Sequence, residues 1–78
     1  MMAIFYFDIR VGSNPTSLDD HGEEFADLGA ARIRAGQALC SLARNLLRKG
    51  HTPDLCIEVR DNFGTVLWIE LNYRARLH

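Results

Sequence analysis

The chain has few of the features on which very small domains often depend for stability. Its 78 residues include only two cysteines, Cys40 and Cys56, and these do not fall at a metal-binding spacing. We therefore expect two reduced thiols and no structural metal, as is usual for a cytoplasmic protein. A chain of this length buries only about 60–65% of its unfolded surface. Association with a second copy is an ordinary way to compensate.

The sequence also lacks long hydrophobic runs and an excess of charge of either sign. No stretch reaches membrane-spanning length, and Asp8 and Arg10 interrupt the apolar opening, which is unlike a signal peptide. The net charge of −1 gives no whole-molecule attraction to nucleic acid or lipid. We predict a single cytoplasmic domain over residues 1–78 that makes no membrane contact.

Residue patterns typical of catalysis are scarce as well. The three histidines, at positions 21, 51 and 78, have no Cys or Ser–Asp partner at a readable spacing. The acidic residues of segment 19–24 surround Gly22, but their spacing is not that of a calcium loop. A solvated loop is the simpler interpretation, although a cation site there stays open. We predict no enzymatic activity, no cofactor and no metal site.

The main positive feature is a long amphipathic helix from Asp27 to Lys49. Asp27 is a good N-cap residue, Gly50 suits the position after the helix, and Pro53 prevents continuation. One apolar stripe, predicted to pack on a sheet, consists of Leu28, Ala31, Ala35, Ala38, Leu39, Leu42 and Leu46.

A second apolar stripe lies beside the first on the same helix. It consists of Ile33, Gly36, Cys40, Ala43 and Leu47. Together the two stripes cover more of the helix than one sheet can hide. Either a loop or the C-terminal tail covers the second stripe, or a helix of a twin chain packs on it. We favour the twin chain and predict a homodimer interface at Ile33, Gly36, Cys40 and Leu47.

The remaining side of the helix is basic. Arg34, Arg44, Arg48 and Lys49 lie on it, which makes nucleic-acid binding the alternative function. Such a face is most often simply solvated. Arg32 falls nearer the core edge, where an arginine is predicted to pair with a carboxylate. The candidates are Asp8, Glu23, Glu24 and Asp27.

Four segments have the alternation typical of β-strands. Residues 3–11, 54–60 and 65–73 are clear cases, and a short strand near Thr16–Asp19 completes the set. The turn Asp61-Asn62-Phe63-Gly64 makes the last two a hairpin in which Val59 faces Leu67. The order of elements predicts an α+β fold, β-β-α-β-β. It has a four-stranded antiparallel sheet of order 2-1-3-4, with the helix on one face.

The other sheet face should carry an apolar patch beside Arg60. Tyr6, Val66 and Trp68 would collect there, and exposed groups of this kind are typical of contact surfaces. The alternative is that the tail, residues 72–78, covers the patch. The three residues complete the predicted interface.

With these elements placed, the chain resembles a family of short bacterial domains found in rhizobia and related alphaproteobacteria. The resemblance depends on the opening FYFDIR, on Asp19…Gly22 before Asp27-Leu28 and Ala30-Ala31-Arg32, and on IEVRDNFGTVLW. It implies the fold and the host group but no catalytic residue, since the family has no assigned activity. We therefore predict a self-associating or protein-interaction module, most simply a dimer, with nucleic-acid binding as the alternative.

Overall fold

Residues 2–74, the part of the chain that the computed structural model describes, form a four-stranded antiparallel sheet with one helix on one face. The elements are β1 Ala3–Val11, β2 Glu23–Phe25, α1 Leu28–Arg48, β3 Asp54–Asp61 and β4 Gly64–Asn72. The strand order β2-β1-β3-β4 confirms the predicted α+β architecture.

Helix α1 begins and ends where its capping residues predicted. The Asp27 carboxylate accepts a hydrogen bond from the Ala30 N–H at 2.9 Å, which satisfies one free donor of the first turn. At the other end, the N–H groups of Gly50 and His51 donate to the carbonyls of Leu47 and Leu46. This is a Schellman motif, and it needs the positive φ of 82° that Gly50 adopts.

The core lies between α1 and the middle of the sheet. Its buried side chains are Phe5, Ala31, Ala35, Leu39, Ala43, Leu55, Ile57 and Val59. Three of the four helix positions are alanines, so the helix approaches β3 closely. Ala43, predicted in the second apolar stripe, is buried because it lies next to the first apolar stripe on the helical wheel. Leu28, predicted to face inward, is exposed because β2 offers only a three-residue strand beside the first helical turn.

The predicted second strand near Thr16–Asp19 is misplaced. There Ser17 makes only an isolated bridge with Ile9, with backbone hydrogen bonds of 2.9 and 2.7 Å. The true second strand, β2, comes later, at Glu23–Phe25, and pairs with Ala3–Phe5. The acidic residues Glu23 and Glu24 conceal this strand in the sequence. In the structure it is held in place by Phe25, whose ring packs against those of Phe5 and Phe7.

The β3–β4 hairpin has the predicted register over most of its length. Val59 faces Leu67, Ile57 faces Ile69, and Leu55 faces Leu71. Near the turn the prediction is wrong by one residue, since Arg60 faces Thr65 rather than Val66. A β-bulge between Val59 and Arg60 accommodates the extra residue.

Helix α1 covers strand β4 only in part. Helix α1 packs closest over β3, whose inward side chains are fully buried. The corresponding side chains of β4 are only half-buried; they are Leu67, Ile69 and Leu71. The last strand therefore carries apolar surface that its own helix does not hide.

The predicted ion pair of Arg32 does not form. Arg32 is exposed, and the salt bridge present within residues 2–74 joins Asp8 to Arg60 instead. The two cysteines are free, with Cys40 exposed and Cys56 half-buried. Over the same residues, no helix has both the length and the hydropathy that crossing a membrane requires.

Candidate functional site

The face of the sheet opposite α1, here called the open face, carries almost all the ionisable chemistry of the strands. Cross-strand pairing arranges its side chains in rows. One row is Tyr6 and Arg60, the next is Asp8, Glu58 and Trp68, and the third is Arg10, Cys56 and Glu70. Charged, aromatic and thiol groups thus lie side by side on one surface.

The centre of the open face is a buried ion pair. Asp8 is only 2% exposed, although its strand neighbours on this face are open to solvent or half-buried. Arg60 reaches it diagonally across the strands, with Nε at 2.5 Å from Oδ2 and Nη2 at 3.1 Å from Oδ1. The guanidinium also lies 4.9 Å from the centre of the Tyr6 ring, within cation–π distance.

The loop before β2 covers this ion pair. The Asp19 N–H donates to Asp8 Oδ1 at 2.9 Å, and Arg60 Nη2 donates to the Asp19 carbonyl at 3.1 Å. Gly22 packs against Tyr6 so closely that a Cβ there would lie 2.9 Å from the ring. The loop is therefore held by both the charge and the aromatic surface beneath it.

The Asp19 side chain also completes the outer edge of β1. Its Oδ2 accepts from the Phe7 N–H at 3.0 Å, while Oδ1 accepts from the N–H groups of His21 and Gly22 at 3.0 and 3.1 Å. The carboxylate thus occupies the place of a strand between β2 and the bridge at Ser17. These three bonds explain the acidic segment as a structural device.

Both carboxylates are held in the charged form. Burial raises the pKa of Asp8, but the hydrogen bond from Arg60 and the N–H of Asp19 outweigh it and lower the pKa below its ordinary value. Burial also raises the pKa of Asp19, and the N–H groups of Phe7, Gly22 and His21 reverse that shift. The hydrogen bond to Asp8 raises the pKa of Arg60 further.

A shallow pocket of about 260 Å³ lies beside the ion pair on the open face, lined in part by Arg10, Cys56, Trp68 and Glu70. Cys56 carries the thiol that lines this pocket. Burial raises the pKa of that thiol, the nearby Arg10 opposes the rise, and Glu70 and Glu58 add to it. A thiol with a raised pKa is a weak nucleophile at neutral pH. Within residues 2–74, no three His, Cys, Asp or Glu side chains converge as a metal site would require.

The structure leaves the predicted helix interface open to solvent. Ile33 is 66% exposed and Leu47 is 43% exposed, and Cys40 is exposed between them. Gly36 is half-buried, and a Cβ added there would meet nothing within 4 Å. The second apolar stripe thus leaves three side chains uncovered by residues 2–74, those of Ile33, Cys40 and Leu47, while Ala43 between them is buried.

The predicted patch on the open face divides into two parts. Tyr6 is half-buried under Arg60 and the Gly22 loop, whereas Trp68 is 66% exposed and Val66 lies beside the bulge. The register sets Trp68 with the Asp8 row rather than the Tyr6 row. Residues 75–78, which were expected to contribute to a covering tail, lie outside the described residues.

The basic residues of the helix are all exposed. They are Arg34, Arg44, Arg48 and Lys49. Within residues 2–74 none of them makes a salt bridge, so their positive charge is not compensated by a close carboxylate.

The sequence left three surfaces open for assembly, namely the helix, the open sheet face and the edge strand at Thr65–Tyr73. β4 is the last strand of the sheet, and its nine residues have no strand on their outer side within residues 2–74. Glu70 is the only charged residue along it. The order 2-1-3-4 already placed this strand at an edge, and its lack of Lys and Pro was the available signal.

The fold and this surface define a small sheet-and-helix domain with one covered edge, one bare edge and a charged open face. The chain belongs to the family described as Domain of unknown function (DUF6894), which matches residues 4–71 and so extends from β1 to β4. No curated protein and no solved structure matches the chain.

Proposed function

We propose that this chain is a self-associating or protein-interaction module that works by contact rather than by catalysis. The observation that carries the proposal is the amount of apolar surface the fold leaves exposed. Ile33 and Leu47 lie open along the helix, and Trp68 lies open on the sheet. The two surfaces lie on opposite sides of the domain, and exposed apolar surface of this kind is typical of contact sites.

The chemistry of the open face also favours contact over catalysis. Asp8, Asp19 and Arg60 are committed to one another and to backbone groups. The Cys56 thiol has a raised pKa rather than the lowered pKa of a reactive cysteine. The ionisable groups thus stabilise the fold and leave the apolar side chains as the surface for a partner.

The proposal is tested by the mass of the protein in solution. Light scattering from micromolar to millimolar concentration is expected to give a mass above that of one chain. A mass of one chain throughout, together with failure to bind any product of neighbouring genes, would contradict it. A bacterial source and a cytoplasmic location remain predictions from the sequence, and the same gene neighbourhood tests the first.

Nucleic-acid binding is the second candidate, and the uncompensated basic face of α1 is the observation that favours it. Arg34, Arg44 and Arg48 are exposed and unpaired within residues 2–74. Binding through such a face should weaken steeply as salt rises, because phosphate contacts release counterions. Retention on a DNA or RNA column at low salt tests it; absence of retention there would exclude this candidate.

A further inference from the structure

The backbone groups on the free edge of β4 can be assigned from one hydrogen bond. The Tyr73 N–H donates to the Pro53 carbonyl at 3.1 Å, so the odd-numbered residues at this end of β4 point their backbone groups toward β3. In an antiparallel ladder these directions alternate along the strand. Trp68, Glu70 and Asn72 therefore direct their N–H and C=O groups outward.

We propose that this edge binds β4 of a second copy in antiparallel orientation, with the two-fold axis at Ile69. The inference rests on the proposed function and names its partner and surface. Trp68 of each copy would form a hydrogen-bonded pair with Glu70 of the other. Strand addition at a bare edge supplies affinity mainly through backbone hydrogen bonds, and the same surface serves both copies.

The sequence of β4 is self-complementary in this register. Ile69 is the midpoint of residues 67–71, which lie beyond the bulge, so this axis pairs that stretch with itself and pairs the outward groups of both Trp68 and Glu70. A two-fold axis at Glu70 would instead place two carboxylates directly opposite each other, which is unfavourable. With the axis at Ile69, each Glu70 faces an indole, and no like charges meet.

The same register covers the apolar surface that α1 leaves exposed. Leu67, Ile69 and Leu71 are half-buried on the helix-bearing face. Pairing would place Ile69 opposite itself and Leu67 opposite Leu71 of the second copy. A two-fold axis perpendicular to the sheet keeps both helices on one face, so this apolar row would lie in the groove between them. The product is a continuous eight-stranded sheet.

A proline substitution can remove a hydrogen-bond donor from the free edge of β4 and leave the β3–β4 ladder intact. Glu70→Pro removes an N–H that points away from β3, and proline is tolerated on the outer side of an edge strand. We expect this variant to keep the helical circular dichroism of the wild type and to be monomeric by sedimentation. Glu70→Ala, which removes the carboxylate but keeps the N–H, should stay dimeric. A Glu70→Pro dimer of unchanged stability would overturn the proposal.

Charge variants at Trp68 test the register and do not depend on a proline. Both are made with Glu58→Gln, because Glu58 faces position 68 within the chain. Trp68→Lys would place a cation opposite Glu70 of the second copy. Trp68→Glu would instead place a carboxylate opposite Glu70 in both of the symmetry-related pairs. We expect dimerisation of the Lys variant to be at least about tenfold tighter. Equal weakening of both, or no effect of either, would overturn this register.

A helix variant separates failure of this inference from failure of the proposed function. Leu47→Glu adds a charge to the exposed helix face and leaves β4 unchanged, so the dimer should persist. Dissociation by Leu47→Glu but not by Glu70→Pro would assign the interface to the helix, which overturns the edge and leaves the proposed function standing. A wild-type protein that is monomeric at all concentrations would overturn self-association altogether.

Discussion

The two edges of the sheet are treated in opposite ways. On the outer side of β1, the three residues of β2, the Asp19 carboxylate and Ser17 follow one another and occupy the backbone groups. On the outer side of β4, the nine residues of the strand have no partner strand within residues 2–74. The covered edge also carries the ion pair. The comparison indicates which side of this domain is built for folding and which is available for contact.

The difference has a physical cause in how each edge is capped. A strand edge is satisfied either by another backbone or by side chains that imitate one. Asp19 does the second, accepting from Phe7 where β2 and Ser17 leave a gap. No such side chain reaches β4 from residues 2–74, because the chain turns at Asp61–Gly64 and β4 follows as the outermost strand.

The largest loss of stability should come from removing the guanidinium of Arg60, which pairs with Asp8 on the covered side of the sheet. Arg60→Met leaves the Asp8 carboxylate buried with only the Asp19 N–H as a partner, and a buried charge without its counter-ion is strongly destabilising. Urea unfolding should show the largest loss of stability among these variants. Arg10→Met, on the exposed end of the same face, should change stability by less than about 0.5 kcal/mol. Equal effects of the two would refute the assigned role of Arg60.

A smaller loss of stability is expected when the carboxylate that caps the outer edge of β1 is removed. Asp19→Ala deprives three N–H groups of their acceptor, and we expect a cost of about 2–3 kcal/mol in chemical denaturation. The neighbouring Asp20→Ala is the matched control, and it should be nearly neutral because no group within residues 2–74 donates a hydrogen bond to that exposed carboxylate. If Asp20→Ala were the more harmful change, the capping role of Asp19 would be wrong.

The covered edge should also make the fold sensitive to acid. The folded pKa values of Asp8 and Asp19 lie below the ordinary 3.8, so the unfolded chain takes up protons first as the pH falls. The stabilisation is therefore complete above pH 3.8 and is lost as the pH drops through the folded pKa values. Unfolding free energies measured from pH 6 to pH 2 should show this decline, and Asp8→Asn should flatten it. A profile unchanged by Asp8→Asn would speak against the ion pair.

Amide hydrogen exchange compares the two edges directly. In dilute solution the N–H groups of Phe7 and Ile9 should exchange at least about tenfold more slowly than those of Trp68 and Glu70, because only the first pair are hydrogen-bonded in one chain. Raising the protein concentration should then slow Trp68 and Glu70 selectively. Equal exchange of all four in dilute solution would remove the contrast between the edges.

The smallest effect is expected on the helix surface, away from both edges. Gly36→Ala should stabilise the chain by about 0.5–1 kcal/mol, since a Cβ there meets open space and alanine favours the helix. Thermal unfolding measures the gain, and the mass in solution should not change. Weaker association of this variant would instead support the helix face as the dimer interface.

Much of the fold could be predicted from local patterns. The caps Asp27 and Gly50 define α1, and the alternation of β3 and β4 defines their register from Leu55 to Val59. The second strand could not be located in this way, because Glu23–Phe25 is too short and too acidic to alternate recognisably. Its pairing depends on the Phe25 ring packing against Phe5 and Phe7.

The candidate site was only partly predictable for a related reason. Ile33, Leu47 and Trp68 are exposed apolar residues in the structure, as the helical wheel and strand alternation implied. Asp8 was placed on the correct face, but it was considered only as one of four carboxylates that could pair with Arg32. The pairing of Asp8 with Arg60 depends on a diagonal contact between two residues that are 52 positions apart in sequence. Such contacts exist only after β1 and β3 are paired.

The sequence alone determined the helix, three of the four strands, the strand order and the surplus of apolar surface, because these follow from periodicity and capping over a few residues. The tertiary structure decided which carboxylate is buried, which arginine neutralises it and which edge of the sheet is covered. These features depend on side chains that meet across strands and loops, where desolvation and hydrogen bonding act together and no short stretch of sequence records the result.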